Sequence, residues 1–438
     1  MAVHTFSARQ LAAVTPDSRD RYMDLLRVFS LAAVVLGHWL MVVLVPEAGG
    51  GVRVDNALGI MPGLQPLTWV FQVMPLFFFV GGFAHAGALR RNPGYAGFVR
   101  GRAARLLIPT AVFVAVWLVV GLAVELTGYD SGLLRTATRL IGQPLWFVGV
   151  YLGVVALAPV MWALHRRFGI MVPAVLVAGV AGVDVVRFGL GHSGFGIVNV
   201  ALVWLAVHQL GFLYADGHLN RRIAAALTAG GLLAATALVT FGPYPLSMVG
   251  MPGAAVSNMS PPTAALLAHA LWLIGAALLL RKPVSRLLAR PRVWLGVVAA
   301  NGIAMTAFLW HLTALFLVSG LKLALDSAGP VVGSTGWWLT RPVELTLFAA
   351  VTAGLIMIFR RADQPRTLSP AAVGTGRAAL GMTLCLAGVL GISSAGFGGA
   401  LAGRTAPLLM LEVTPLRCVA LLAAGALLLR LRPVPAVP

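Results

Sequence analysis

The run Leu25–Val45 limits this chain more than any other feature: twenty-one residues with a single arginine and a single histidine. About 20 apolar residues cross the hydrocarbon core of a bilayer as helix. Comparable runs recur along the whole chain, so the sequence reads as an all-α polytopic membrane protein. Only 10 % of its residues are charged and 59 % are hydrophobic, against about 25 % charged in a soluble protein. That balance excludes disordered, fibrous and ordinary cytosolic classes. The net charge of +19 would suit a nucleic-acid binder if the cations formed one patch. They instead punctuate the gaps between apolar runs, as cytoplasmic loops do under the positive-inside rule, so no nucleic-acid partner is expected.

Twelve spans are predicted, near 24–46, 66–90, 104–126, 143–164, 169–186, 197–215, 222–241, 263–281, 293–320, 342–360, 375–396 and 408–430. Pro- and Gly-containing breaks such as Met61-Pro62-Gly63 and Ser260-Pro261-Pro262 separate several of them. With the N terminus inside, 24 of the 32 Lys and Arg residues fall on the cytoplasmic side, Arg366 and Arg432 among them, and seven on the other; Arg417 lies within a span. Both termini are therefore expected in the cytoplasm of a multi-pass cell-membrane protein. The first 23 residues carry no apolar signal core, so the first helix is expected to act as an uncleaved anchor. Cys385 and Cys418 read as small buried hydrophobes; they would meet only if the last two helices packed side by side.

Polar groups inside spans are costly and mark candidate sites. Arg27 and His38 are eleven residues apart, which is three helical turns plus roughly 20°, so they share a face about 16 Å apart in rise. Arg27 is thereby expected near the cytoplasmic surface and His38 near mid-membrane, with Asp24, one turn earlier, placed to hold the guanidinium. Without further context, a snorkelling arginine and a packed histidine explain the pair equally well. Arg102 and Arg105, at i and i+3, share a helix face and suit phosphate groups; an ordinary basic loop explains them too. Pro75 and Gly81-Gly82 interrupt the second span, Trp146 and Tyr151 suit an interfacial belt, and Asn301 and His311 lie in the ninth. His85, His208 and His269 each read as structural. No Cys/His cluster, Gly-rich phosphate loop or Gly-x-Ser-x-Gly elbow appears, so no metal is expected.

Taken in order, these motifs resemble acyltransferase family 3, the integral membrane acyltransferases. The resemblance rests on Arg27 and His38 as Arg-x10-His in the first helix, on Met74-Pro75-Leu76-Phe77-Phe78-Phe79-Val80-Gly81-Gly82-Phe83, and on Arg102-Ala103-Ala104-Arg105. Pro144-Leu145-Trp146-Phe147 and Leu309-Trp310-His311 follow. Gly81 stands where the family usually has serine, and the last two spans exceed its ten-helix core. The implied layout is a cytoplasmic segment at 1–23, an acyltransferase core at 24–360, and a loop plus two further helices at 361–438.

The resemblance implies transfer of an acyl group from cytoplasmic acyl-CoA, acetyl-CoA among the candidates, with no tightly bound cofactor. The acceptor would be a hydroxyl or amine on a sugar, glycan, lipid or secondary metabolite. Matched by motif, His38 is the catalytic histidine and Arg27, Arg102 and Arg105 are basic positions for the donor. His38 would serve as general base or acyl carrier. Asn301, Trp146 and His311 are further candidates to touch the thioester carbonyl or the acceptor. The rival class is a transporter or lipid flippase; the scarcity of mid-span acids argues against ion coupling.

Overall fold

The structure of the chain, a computed structural model, describes residues 8–431 apart from 17–18, 48–51, 129–131, 252, 326–328, 365–367, 369–371 and 410. Arg366 and Arg432, counted above for the charge bias, lie outside the described residues, as do residues 1–7 of the N-terminal segment. Among the described residues, eleven helical segments are long and apolar enough to cross a membrane. The twelfth expected span, 408–430, holds a shorter apolar helix of fourteen residues.

After a short helical turn at Ala8–Ala13, the first long helix, α1 (Arg21–Met41), starts where the Asp20 side chain accepts from the backbone N–H groups of Tyr22 and Met23, satisfying two of the donors a helix start leaves free. It stops sooner than the apolar run does. Val42–Pro46 forms strand β1, paired antiparallel with β2 (Val52–Asn56) in the register Val42↔Asn56 to Pro46↔Val52. The run Val-Val-Leu-Val is dominated by β-branched side chains that prefer extended backbone, and hydropathy alone does not separate it from helix. His38 therefore lies in the last turn of α1, at the hairpin end of the bundle and not at mid-helix.

Helices α2 (Met74–Leu89), α3 (Gly94–Leu126), α4 (Leu145–Phe168), α5 (Met171–Asp184) and α6 (Val198–Ala215) follow. Then come α7 (Arg221–Phe241), α8 (Ala264–Leu288), α9 (Pro291–Asn301), α10 (Ala304–Ala324) and α11 (Thr335–Phe359). The expected span 293–320 is thus two helices, broken at Asn301-Gly302. The last pair is α12 (Thr375–Ala395) and α13 (Pro415–Leu428).

Helices α2 and α6 are the most buried, while α7 and α11 turn most of their surface outward. Outward apolar side chains such as Leu233, Leu339 and Met357 are exposed, as suits contact with acyl chains. Helix α1 packs on α2, α8, α9 and α10, so the Arg27–His38 face looks into the bundle. Where α2 crosses α6, a Cβ on Gly82 would lie 2.0 Å from the His208 carbonyl oxygen, and one on Gly211 2.2 Å from that of Phe79. Only glycine permits that approach, the small-residue contact that membrane helices use.

Helices α12 and α13 pack side by side, and α12 lies against α3 and α4. Arg100 Nε on α3 donates to the carbonyl of Leu429, 2.8 Å away, just past the end of α13. Cys385 and Cys418 are both free and buried in this interface, small apolar side chains as the sequence suggested.

Candidate active site

Helix α1 carries two polar stations eleven residues apart, and other helices complete each one. At the first, Arg27 donates from Nε to Asn301 Oδ1 at 2.9 Å, and its Nη2 bonds the same oxygen. Asn301 ends α9, and its amide Nδ2 donates to the carbonyls of Val297 at 3.0 Å and Asp24 at 3.4 Å. Asp24 does not hold Arg27, as the one-turn spacing had suggested. Its carboxylate takes Arg19 in a two-point contact of 2.6 and 3.0 Å. Arg19 lies just before the helix and can meet both carboxylate oxygens, whereas Arg27 finds its direct partner on α9. Asn301 is therefore brought to Arg27 and not to His38.

Arg102, on α3, donates to the Ala84 carbonyl at 3.1 Å and lies 5.9 Å from the Phe98 ring centre. Arg105, one turn later, is exposed. Arg27 feels the charge of Arg105, and Arg102 that of both. The three sequence-singled arginines thus form one electrostatic neighbourhood, and among the described residues none of them makes an ion pair. Asp24 also acts on Arg27, yet three guanidinium groups against that one shared carboxylate at one end of a bundle form a site for a polyanion.

Tyr151 of α4 belongs to the same neighbourhood, since it interacts electrostatically with Arg102 and Arg27. Its ring lies 5.2 Å from Phe77 and 5.8 Å from His85. A Cβ side chain at Gly81 would begin 2.7 Å from the Tyr151 hydroxyl, so glycine, where the family usually has serine, makes room for this tyrosine. The sequence placed Tyr151 in an interfacial belt; its link to the arginines runs across helices and leaves no local signal.

The second station is an imidazole pair. His38 Nδ1 lies 2.8 Å from His311 Nε2, with the rings stacked at 5.0 Å and an interplanar angle of 16°. His311 Nδ1 is 2.5 Å from the Phe308 carbonyl, and Trp39 Nε1 donates to the His311 carbonyl at 3.1 Å. A carbonyl oxygen only accepts, so His311 Nδ1 carries the hydrogen. With both rings neutral, His311 Nε2 then accepts, His38 Nδ1 donates, and the lone pair remains on His38 Nε2. His311 is fully buried and His38 only partly. An open imidazole lone pair backed by a second ring can take a proton or attack a carbonyl.

Trp146 lies at the start of α4. It packs beside Phe147, which meets Phe308 at 5.2 Å, one turn before His311. The structure therefore gathers His38 and His311, with Trp146 linked to them only through Phe147 and Phe308, and separately gathers Arg27, Asn301, Arg102 and Arg105.

A second imidazole pair, His85 Nδ1 to His208 Nε2 at 2.9 Å, joins α2 to α6 beside the Gly82–Gly211 crossing. Both rings are buried, and sequence reasoning had treated each separately.

A helical bundle with a basic station and a buried imidazole pair has the parts of a membrane enzyme for group transfer. The family model described as an acyltransferase domain matches residues 20–361. The chain belongs to acyltransferase family 3 and is a membrane acyltransferase; α12 and α13 lie beyond the matched region. No curated protein and no solved structure matched the chain.

Proposed function

We propose that this membrane acyltransferase takes its acyl group from cytoplasmic acyl-CoA and passes it to a hydroxyl or amine presented at the hairpin end. The observation that carries this reading is the separation of two stations on one face of α1. Three arginines without ion-pair partners among the described residues suit the pyrophosphate and ribose phosphate of CoA. The imidazole pair lies about 16 Å along the helix, a span the extended pantetheine arm covers. Arg27, Arg102 and Arg105 bind the donor and orient it; the charge bias of the loops supports a cytoplasmic position for their end.

His38 Nε2 accepts the proton of the acceptor hydroxyl as its oxygen attacks the thioester carbonyl. The new C–O bond forms, the C–S bond breaks, and the proton passes from His38 Nε2 to the departing CoA sulfur. His311 positions His38 by fixing its tautomer, the role a buried hydrogen-bond partner plays for an imidazole base. Negative charge growing on the carbonyl oxygen needs a donor, and we assign that role to the indole N–H of Trp146. An acyl-His38 intermediate uses the same lone pair.

The test is acyl-CoA binding and slow CoA release by purified protein in nanodiscs, wild type beside His38→Ala. Release that vanishes in the variant while binding persists supports the reading. Stable wild-type protein that binds no acyl-CoA overturns it.

A further inference from the structure

Just beyond His38, the hairpin end holds charges that the donor chemistry does not use. Glu344, on α11, bonds Lys322 Nζ from α10 through one carboxylate oxygen and Arg341 through the other. Arg341 is only 9 % exposed, its guanidinium lies 4.5 Å from the Trp337 ring centre, and its Nε is buried with no hydrogen-bond partner among the described residues. These groups line a cavity closed by Val42 and Val43 of β1 and by Phe348.

The arithmetic of donors and acceptors decides what such a cavity takes. Both oxygens of the only carboxylate in the trio are spent, while a guanidinium N–H and ammonium hydrogens remain. Among the described residues lining the cavity, two cations face one anion. Lys322 keeps a third of its side chain exposed, but the Arg341 Nε–H is buried, and an unmet buried donor on a charged group is costly, so the cavity favours a ligand that brings acceptor oxygens, best carried on an anion. Its free volume is about 50 Å3, enough for a few waters at roughly 10–15 Å3 each. It therefore fits one carboxylate or phosphate group and not a whole sugar.

The cavity is tied to the imidazole pair. Phe348 packs on Trp39 at 5.9 Å between ring centres, and the Trp39 indole holds the His311 carbonyl. Val42 follows His38 by four residues in the chain.

We infer that this cavity is the anchor of the acyl acceptor, and that the acceptor carries a carboxylate or phosphate. Resting on the acyltransferase reading, the inference adds a substrate class: a hydroxylated anion held by Arg341 and Lys322, with its hydroxyl directed to His38. Glu344 positions both cations.

The test reads binding and does not depend on turnover. Purified protein in phosphatidylcholine nanodiscs is titrated with matched probes, glucuronate against glucose and glycerol 3-phosphate against glycerol, and the shift in melting temperature is followed. The charged probes are expected to stabilise the wild type and the His38→Ala variant, and the neutral ones not. Arg341→Met should abolish the response. Lys322→Met, which leaves the Arg341–Glu344 pair in place and keeps the test usable if the first variant misfolds, should weaken it about tenfold. Equal responses to charged and neutral probes, or an unchanged response in Lys322→Met, overturn the inference. Loss of the probe response on adding phosphatidylglycerol identifies a lipid headgroup as the anion; persistence identifies a water-soluble acceptor. Wild type that binds the charged probes but no acyl-CoA refutes the donor reading alone. Wild type that releases CoA but is blind to probe charge refutes the anchor alone.

Discussion

Asn301 holds the Arg27 guanidinium through a neutral amide oxygen, 2.9 Å from Nε, from a position 274 residues away in the chain. A carboxylate there would still accept from the arginine but cancel its charge, and it would lose the two donations of Nδ2 to the Val297 and Asp24 carbonyls. Asn301→Asp is therefore expected to weaken acyl-CoA binding about tenfold, ~1.4 kcal/mol, with a smaller loss at high salt, alongside a modest fall in thermal stability. Isothermal titration at two ionic strengths checks this. Unchanged affinity would mean that Arg27 does not face the donor.

The bond from His38 Nδ1 to His311 Nε2 at 2.8 Å sets up a second prediction. His311→Ala should lower kcat by roughly 10²–10⁴, the range found when a general base loses function or its correct tautomer. KM for acyl-CoA should stay within about twofold, since the donor phosphates bind elsewhere. His311→Gln should recover part of the rate, because its amide oxygen can accept from His38 Nδ1. A purely structural His311 would show no such recovery and would lower thermal stability in step with activity.

Gly81 makes a third. A serine there would press its Cβ to 2.7 Å from the Tyr151 hydroxyl, and Tyr151 would have to move from Arg27 and Arg102. Gly81→Ser should raise KM for acyl-CoA several-fold. Tyr151→Phe removes the crowded oxygen but leaves ring carbon Cε2 2.9 Å from the added Cβ, so the double variant should recover only part of that loss, a coupling that a double-mutant cycle measures. Additive effects would show that the two positions do not communicate.

How much of this was legible in the sequence follows from the range of each interaction. Hydropathy runs such as Leu25–Val45 marked the helices because burial in lipid is a property of local composition. The same averaging hid the change to strand at Val42, where β-branched residues are as apolar as the helix before them. The Arg27–His38 face was readable because helical geometry is local. Their partners were not: spacing nominated Asp24 for Arg27, whereas Arg19 claims Asp24 and Asn301 arrives from α9. His311 was visible as an odd mid-span imidazole, but its pairing with His38 depends on how α10 packs against α1. Arg341, Glu344 and Lys322 looked like ordinary charges near helix ends; only tertiary folding closes a cavity around them.

The Gly82–Gly211 crossing is expected to govern stability without taking part in the chemistry. A Cβ at Gly82 meets the His208 backbone 2.0 Å away, and a backbone carbonyl within a helix cannot swing aside as a side chain can. Gly82→Ala must therefore separate α2 from α6, which loosens close packing and pulls His85 from His208, now 2.9 Å apart. The cost should be of the order of 1–3 kcal/mol or more, as for other overpacked interiors. His208→Leu tests the imidazole pair without moving the backbone; it trades one hydrogen bond for apolar packing and leaves His85 short of a partner, so about 1–3 kcal/mol should be lost. Thermal unfolding in nanodiscs measures both variants. Gly82→Ala is expected to be the more damaging, because helix separation removes the pair and the packing together. If instead His208→Leu abolished CoA release while unfolding at the wild-type temperature, the second imidazole pair would belong to the reaction and not to the scaffold.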